Sequence, residues 1–422
     1  MRKQYVLIGL MILVVQFAQA QFTFNGEFRP RTEYRHGFGS IITKDADAGF
    51  GISTRVRLNT GFKTDTYSFY LSLQDVMVWG ENRQILPQDE NNSFAVFQAW
   101  TDLKLGKGFS TKIGRQILSY DDQRILGGLD WAQQGRNHDV VLIKYAKDSF
   151  KLDFALAYNQ DYSNPAGFVS SGTTYNTTGF FSYKTMQMLH LSKTWTKFFG
   201  SLLLMSNGFQ EYEDDGETGD GTSSLQTFGT HLKYNSGKFG ATANAYIQTG
   251  QRQGEVEIKG AHLLSLDVSY KSSDKVTFGT GVEIISGNDA DAGKTGAFFP
   301  LYGTNHKFNG FMDYFYVGNH ANSIGLVDIH ASANFKLSEK SSLLVKALNF
   351  SGEQELASGK KSLGTEIDLV FKRNFKGYAL VLGYSQMFAS NGMYELKGIT
   401  DATATGNQNW AWVMLVIKPK FL

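Results

Sequence analysis

The sequence contains no cysteine and only five prolines among its 422 residues. Without cysteine, disulfide scaffolds, thiolate metal sites and cysteine nucleophiles are excluded. Beyond residue 20 there is no run of 18 consecutive apolar residues, which excludes a transmembrane helix in that part of the chain. The formal net charge is only +2. Because a chain so close to neutrality has no overall attraction for nucleic acid, no nucleic-acid partner is expected.

Residues 1–20 have the organisation of an export signal. Arg2 and Lys3 precede an apolar run over residues 6–17, and residues 18–20 (Ala-Gln-Ala) fit a small-x-small cleavage site. The run is too short to span a bilayer as a helix, which needs about 20 residues. We therefore predict a signal peptide over residues 1–20.

Glycine and aromatic residues are abundant, with 45 Gly, 33 Phe and 20 Tyr. From Phe50 to Lys63 the side chains alternate between a largely apolar face and a polar face. A period of two is typical of a strand whose two faces have unlike surroundings. The pattern recurs to the C-terminus and predicts eighteen strands, over residues 22–35, 49–63, 67–79, 92–105, 110–119, 139–147, 150–159, 180–192, 198–206, 225–234, 239–248, 261–270, 275–285, 325–337, 342–350, 363–371, 378–387 and 410–418.

The connections between these strands alternate between tiny turns and long polar loops. The predicted short turns lie at residues 64–66, 106–108, 146–148, 235–237, 272–274 and 374–376. The predicted long loops cover residues 36–48, 80–91, 120–138, 160–179, 208–224, 287–323 and 390–409. Short periplasmic turns, long extracellular loops and an even strand number are typical of outer-membrane barrels. We therefore predict an all-β, transmembrane antiparallel barrel of about 18 strands, a single domain over residues 21–422 surrounded by outer-membrane lipid.

Tyrosines cluster near the predicted strand ends. Their amphipathic rings fit the two headgroup levels of a bilayer, where the ring is buried and the hydroxyl stays hydrated. We expect this position for Tyr67, Tyr145, Tyr158, Tyr234, Tyr270 and Tyr378.

Charged residues follow the face opposite the apolar one and should line the lumen. An Arg or Lys that faces lipid at mid-depth costs roughly 2–4 kcal/mol, so the bilayer itself demands this sorting. Two interpretations are open. The charges either pair across strands and stiffen the barrel, or they form an anion-selective track, since guanidinium matches a carboxylate. The candidate pore residues are Arg29, Arg31, Arg55, Arg57, Arg115, Arg124, Arg136, Glu27 and Asp139.

Two segments resemble the alginate-export family of outer-membrane channels. In residues 112–145 the family pattern is carried by Gly114, Arg115, Gln116, Leu118, Ser119, Tyr120, Arg124, Gly127, Asp130, Trp131, Gly135, Arg136 and Asp139. A second likeness covers residues 300–307 (PLYGTNHK) and 310–314 (GFMDY). The resemblance implies a monomeric eighteen-stranded barrel with an arginine-rich constriction, an anionic saccharide substrate and a periplasmic export or uptake partner. The mature chain is short, so a large plugging loop is not expected.

Other functions remain open at this point. One is a general or small-anion porin. Another is an outer-membrane lipid hydrolase, which needs Ser and His at the lipid-facing rim. No compact Ser–His motif accompanies the candidate histidines, so no enzyme is expected; these are His138, His190, His231, His262 and His330. The Asp-rich loops at residues 45–49 and 288–293 lack the spaced acids of a strong Ca²⁺ site, so no cofactor is expected.

Overall fold

The computed structural model describes residues 21–82, 84, 93–160, 182–214, 219–254, 256–288, 295–320, 323–399 and 407–422. The predicted signal peptide lies outside the described residues and stays a prediction. So do parts of five predicted loops, at residues 80–91, 160–179, 208–224, 287–323 and 390–409. Among the described residues, no helix has both the length and the apolar character needed to cross a bilayer.

The described chain forms one antiparallel sheet of eighteen strands. The strands are β1 (Gln21–His36), β2 (Gly49–Lys63), β3 (Tyr67–Val78), β4 (Ala95–Gly106), β5 (Phe109–Gln116), β6 (His138–Lys147), β7 (Phe150–Tyr158), β8 (Thr185–Thr194), β9 (Phe198–Tyr212), β10 (Gly219–Asn235), β11 (Phe239–Arg252), β12 (Val256–Lys271), β13 (Val276–Ile285), β14 (Leu326–Ser338), β15 (Ser341–Ser351), β16 (Ser362–Asn374), β17 (Tyr378–Ala389) and β18 (Gln408–Ile417). Between these strands the described residues include two 3-10 helices, Asn305–Lys307 and Val317–His320, and one short α-helix, α1 (Asn391–Leu396).

The first strand closes the sheet into a barrel. Strand β1 pairs with β2 on one side and with β18 on the other, where Arg31 lies opposite Met414. Beyond β18 the chain continues along β1, and the amide of Phe421 donates to the carbonyl of Phe24 at 2.9 Å. Closure leaves no sheet edge, as a spanning β structure requires. The prediction of a closed barrel of eighteen strands is confirmed.

Most strand boundaries agree with the predicted ones within a few residues, but the β9–β10 hairpin is longer. Residues 208–224 were expected to form an outer loop, yet β9 continues to Tyr212 and β10 begins at Gly219. This stretch is rich in Gly, Ser and polar residues, so it lacks the alternation that reveals a strand. Backbone hydrogen bonds extend the ladder there without an apolar face.

The two faces of the sheet differ as the alternation predicts. Large apolar side chains are exposed on the outer face, among them Leu58, Leu202, Ile247, Leu266 and Val413. The inner face carries buried polar side chains, including Arg29, Arg55, His231, Glu283 and Asp328. The inner face is therefore the lumen, and the outer face meets lipid.

Phenylalanine–tyrosine pairs mark the periplasmic ends of the strands. Each pair brings two rings within 4.6 to 6.0 Å; they are Phe62–Tyr67, Phe109–Tyr145, Phe198–Tyr234, Phe239–Tyr270 and Phe375–Tyr378. Tyr158, the sixth tyrosine of the predicted set, ends β7 at the opposite side of the barrel. An aromatic band at this level anchors a barrel at the headgroup boundary.

Two of the long connections fold into the lumen. The first inward loop covers residues 117–137, and the second covers residues 295–320. They contact each other through backbone hydrogen bonds from Gly127 to the carbonyl of Tyr302 (2.9 Å) and from Tyr302 to that of Ile125 (3.0 Å). The expectation that both are outer loops, and that no large plugging loop exists, was wrong. The physical reason is their apolar content, because Phe298, Phe299, Leu301 and Tyr302 are buried inside the barrel.

Candidate channel constriction

Four arginines on β1 and β2 form a ladder on the lumen wall. Arg29 lies directly opposite Arg55, and Arg57 lies opposite Glu27. Like charges directly opposite each other destabilise a sheet unless acceptors separate them. Here the acceptors come from the first inward loop. We call Arg29, Arg31, Arg55 and Arg57 the arginine ladder; all four are buried.

The arginine ladder holds the backbone of residues 130–134. Arg29 donates to the carbonyls of Asp130 at 2.7 Å and Ala132 at 3.0 Å. Arg31 donates to the carbonyl of Trp131 at 2.9 Å. A guanidinium offers five donors in a fixed fork, so a few arginines can satisfy an irregular segment that has no sheet or helix partners. The ladder thus fixes the path of the first inward loop across the lumen.

Two carboxylates complete this network. Glu27 accepts from Arg55 Nε at 2.9 Å, and Asp130 Oδ1 accepts from Arg55 at 2.9 Å and from Arg57 at 3.4 Å. The side chain of Arg55 is completely buried, whereas that of Asp130 is 69% exposed. Asp130 therefore faces open lumen with arginines behind it.

Aromatic side chains join the two inward loops beside the ladder. The ring of Trp131 stacks on His306 with 4.5 Å between centroids and packs against Trp412 at 4.8 Å. The guanidinium of Arg31 lies 4.4 Å from the centre of the Trp131 ring. His306 Nδ1 in turn contacts Asp313 Oδ1 at 2.8 Å. These contacts connect β1, β18 and both inward loops in one cluster.

Arg124 is a second anchor, on the opposite side of the lumen. It is buried and forms ion pairs with Asp122, Asp267 and Glu283, while its guanidinium lies 3.9 Å from the ring centre of Phe308. Although burial alone would lower the pKa of Arg124, the three carboxylates raise it above its usual value. Arg124 therefore ties the first inward loop to β12, β13 and the second inward loop.

The remaining candidates lie together at the outer side of the barrel. Arg115 makes a bidentate pair with Asp139, at 2.8 and 2.9 Å, and both side chains are about half exposed. Arg136 donates to the carbonyl of Gly303 at 3.2 Å, and burial lowers its pKa. These three side chains line a cavity of about 290 Å³ together with Tyr302. They form a group separate from the arginine ladder.

Two larger cavities lie on either side of residues 130–134. The outer one has a volume of about 540 Å³, and its lining includes Arg31, Trp131 and Asp313. The periplasmic one has a volume of about 640 Å³, and its lining includes Arg29 and Asp130. The arginine ladder and the segment that it holds therefore form a constriction between two vestibules.

The geometry does not favour the lipid-hydrolase alternative. Ser201 Oγ donates to Asp121 Oδ1 at 2.6 Å, and His190 Nε2 lies 3.1 Å from the same oxygen. Although burial alone would raise the pKa of Asp121, its bonds with His190 and Ser201 lower it. The carboxylate thus takes the place of the base beside the serine, and the cluster faces the lumen instead of lipid. In the part of the chain that the structure describes, no histidine ring is hydrogen-bonded to a serine, and no group of three or more His, Asp or Glu side chains is placed to hold a metal.

Comparison with known proteins assigns the chain to a family. Residues 20–400 match the alginate export family. The chain belongs to that family. A search of the curated proteins found no match. The family and the fold together establish an outer-membrane location and a channel-type barrel.

Solved outer-membrane barrels have a similar fold at low sequence identity. OccAB4 from Acinetobacter baumannii is 13% identical, with a TM-score of 0.63 over 95% of this chain and 98% of that one. The outer membrane protein OpdK from Pseudomonas aeruginosa is 10% identical, with a TM-score of 0.61 over 95% of this chain and 99% of that one. At such identities the likeness concerns the fold.

Sequence reasoning did not identify several residues of the constriction. Trp131 was known only as part of a family motif, and its partners His306 and Trp412 gave no local signal. The sequence analysis also did not predict that the arginines donate to loop carbonyls, because every residue has a backbone carbonyl and the sequence does not show which ones act as acceptors. One signal was available, since residues 297–302 are too apolar for a solvated loop.

Proposed function

We propose that this outer-membrane channel passes anionic oligosaccharides of the uronate type by diffusion. The observation that carries the proposal is the arginine ladder, which fixes a constriction between two vestibules. Around it, five cations face four carboxylates, namely Arg29, Arg31, Arg35, Arg55 and Arg57 against Glu27, Glu33, Asp130 and Asp313. An excess of positive charge with low-dielectric walls raises the local concentration of anions.

In this proposal the ladder has two effects. Its donors hold residues 130–134 in place, and its surplus charge favours carboxylates in the adjacent vestibules. Arg136 extends the positive character toward the outer side, whereas the charge of Arg115 is neutralised by Asp139. The barrel acts as a monomer surrounded by outer-membrane lipid, and a periplasmic export or uptake partner stays a prediction.

The filled lumen favours a second candidate, a porin for small anions. Two inward loops and the ladder leave separate vestibules of about 540 and 640 Å³. OpdK from Pseudomonas aeruginosa, also solved with vanillate, is 10% identical to this chain with a TM-score of 0.59. A small carboxylate would need less displacement of the inward loops than a sugar chain.

Permeation into liposomes separates these candidates. Purified protein is reconstituted, and the entry of a uronate trimer, a neutral trisaccharide and a small monocarboxylate is compared. The proposal predicts that the uronate trimer enters faster than the neutral trisaccharide of equal length. Entry of the monocarboxylate alone would favour the small-anion porin, and equal entry of all three would contradict both.

A variant with several neutral replacements tests the arginines themselves. Replacing them together should lower anion selectivity and shorten the dwell time of a uronate blocker; the set is Arg29, Arg31, Arg55, Arg57, Arg115, Arg124 and Arg136. If the variant loses heat resistance but keeps its selectivity, these side chains are only structural supports.

A further inference from the structure

The periplasmic end of the lumen carries a ring of lysines. One lysine stands on the lumen face at or next to each of seven periplasmic turns, and an eighth follows β18. All eight are exposed, and we call them the lysine ring; they are Lys63, Lys104, Lys151, Lys233, Lys271, Lys336, Lys372 and Lys418. The remaining turn, between β8 and β9, carries the exposed Lys197, whose carbonyl accepts from the amide of Asn235 on the same face at 2.9 Å.

The strand register shows which way these lysines face. Residues directly opposite each other on neighbouring strands lie on the same face of the sheet. Arg31 of the ladder is opposite Met414, which is opposite Val381, and Val381 is opposite Lys372. Lys418 lies four residues after Met414 and so shares its face. The same reasoning extends around the barrel, strand by strand.

Cavity linings support this orientation independently. Lys372 and Lys418 line the periplasmic vestibule together with Arg29 and Asp130. Lys233, on the other side of the barrel, lines a smaller lumen cavity of about 300 Å³. The lysine ring is therefore the mouth of the vestibule that ends at the arginine ladder.

Few carboxylates offset this charge. Lys271 pairs with Asp274 at 2.8 Å and Lys336 with Glu339 at 2.6 Å. Both carboxylates are almost fully exposed, and such pairs contribute only about 0–1 kcal/mol and exchange readily with other anions. Lys418 pairs with Glu27 at 3.2 Å. Within the described residues the other five ring members form no ion pair, so the mouth carries a net positive charge.

The outer end of the barrel carries more acidic side chains. Exposed or half-exposed acids there include Asp45, Asp47, Glu211, Glu213, Asp214, Glu353, Glu355 and Glu395. Exposed lysines also occur there, among them Lys44, Lys259, Lys360 and Lys361, so the charge of the outer end is mixed, whereas the described charge of the periplasmic mouth is mainly positive. A charged mouth of this kind focuses ions of opposite sign and accelerates their association.

We propose that the lysine ring captures linear polycarboxylate chains from the periplasm and delivers them to the arginine ladder. This proposal rests on the proposed function and adds the side of the membrane from which the substrate enters the channel. Lysine suits capture, because its ammonium is a point charge on a flexible stem that tolerates many geometries. Arginine deeper inside offers a fixed fork for closer recognition. The channel is then loaded more readily from the periplasmic side than from outside.

Anionic lipid headgroups are the competing partner for cations at this level. They would contact the lipid face, where the register places Lys147, Lys193 and Arg373. These three provide a matched control, since Arg373 is adjacent to Lys372 and Lys147 shares a hairpin with Lys151. Neutralising either set removes the same charge at the same membrane level.

The test uses the full-length mature protein inserted in a planar bilayer with known orientation. A uronate hexamer is added to one side at a time, and the association rate is taken from blocking events at low and high salt. The variant K151Q/K233Q/K372Q should lose about tenfold of the periplasmic-side rate at low salt, where steering effects are largest. Its outer-side rate and block lifetime should stay unchanged, as should both rates of the control K147Q/K193Q/R373Q.

Each outcome has a distinct meaning. Equal rates for the wild type and the lysine variant would overturn the capture role. An equal loss in the lipid-face control would assign the effect to lipid or to net charge. If the wild type is blocked equally from both sides, the ring proposal fails while the proposed function stands. If no uronate block occurs from either side, the proposed function itself fails. Heat-dependent migration in SDS verifies that both variants are folded.

Discussion

Replacing Arg55 by methionine tests how the first inward loop is held. Arg55 is completely buried, and its guanidinium donates to Glu27, to Asp130 and to the carbonyls of Ala132 and Gln133. Methionine keeps much of the volume but none of the donors. The change therefore removes an anchor of the loop and leaves Glu27 buried beside fewer cations.

The expected cost follows from this burial. Breaking a buried ion pair by removing one partner costs about 3–5 kcal/mol, because the remaining charge lacks compensation. Since 1.4 kcal/mol is a tenfold change, the population of the displaced loop should rise roughly 10²- to 10⁴-fold. Arg35 provides the control. Its side chain is 46% exposed and pairs with Glu33, so R35M should cost only about 0–1 kcal/mol.

Single-channel recording measures the effect directly. R55M should show larger and noisier currents as residues 130–134 leave the ladder, whereas R35M should resemble the wild type. The double variant E27Q/R55M should show less current noise than R55M, because the buried carboxylate that lost its Arg55 partner is then neutral. Quiet wild-type currents in R55M would refute the claim that the ladder holds the constriction.

Three further predictions concern the second inward loop and the barrel. Gly310 has φ +88°, and a Cβ there would lie 2.6 Å from Glu366 Oε2, so G310A should expose the second inward loop to protease, whereas G359A (φ +77°, open surroundings) should not. Burial lowers the pKa of His320 to about 4, so its neutral form stabilises that loop above the unfolded pKa of about 6.5. Amide-exchange protection of residues 295–320 should therefore fall as the pH drops from 6.5 toward 4, and H320Q should lose this dependence. The closed barrel should resist SDS until heated and then migrate differently; identical migration with a helical circular dichroism spectrum would contradict the fold.

The fold could be predicted because the bilayer imposes strict rules on the sequence. Alternation of apolar and polar residues located all eighteen strands, and charge sorting placed Arg29 and Arg55 on the lumen face. The extension of β9 to Tyr212 and the early start of β10 at Gly219 were missed, since a ladder outside the membrane needs no apolar face. Alternation is strong evidence only where lipid lies on one side.

The candidate site was predictable only in part. The sequence located the arginines, but it could not show that a loop 73 to 104 positions further along the chain supplies their acceptors. The sequence left two interpretations of the lumen charges open. The contacts of Arg55 and Arg124 support the interpretation in which these charges pair across strands and stiffen the barrel. The excess of cations around the ladder keeps the anion track as a proposal.

Reversal potential across a planar bilayer tests the central claim most directly. With a tenfold KCl gradient and purified wild-type protein, the account predicts a chloride-preferring channel whose current is blocked by a uronate oligomer and not by a neutral oligosaccharide of equal length. A potassium-preferring channel, or equal block by the charged and the neutral chain, would contradict it.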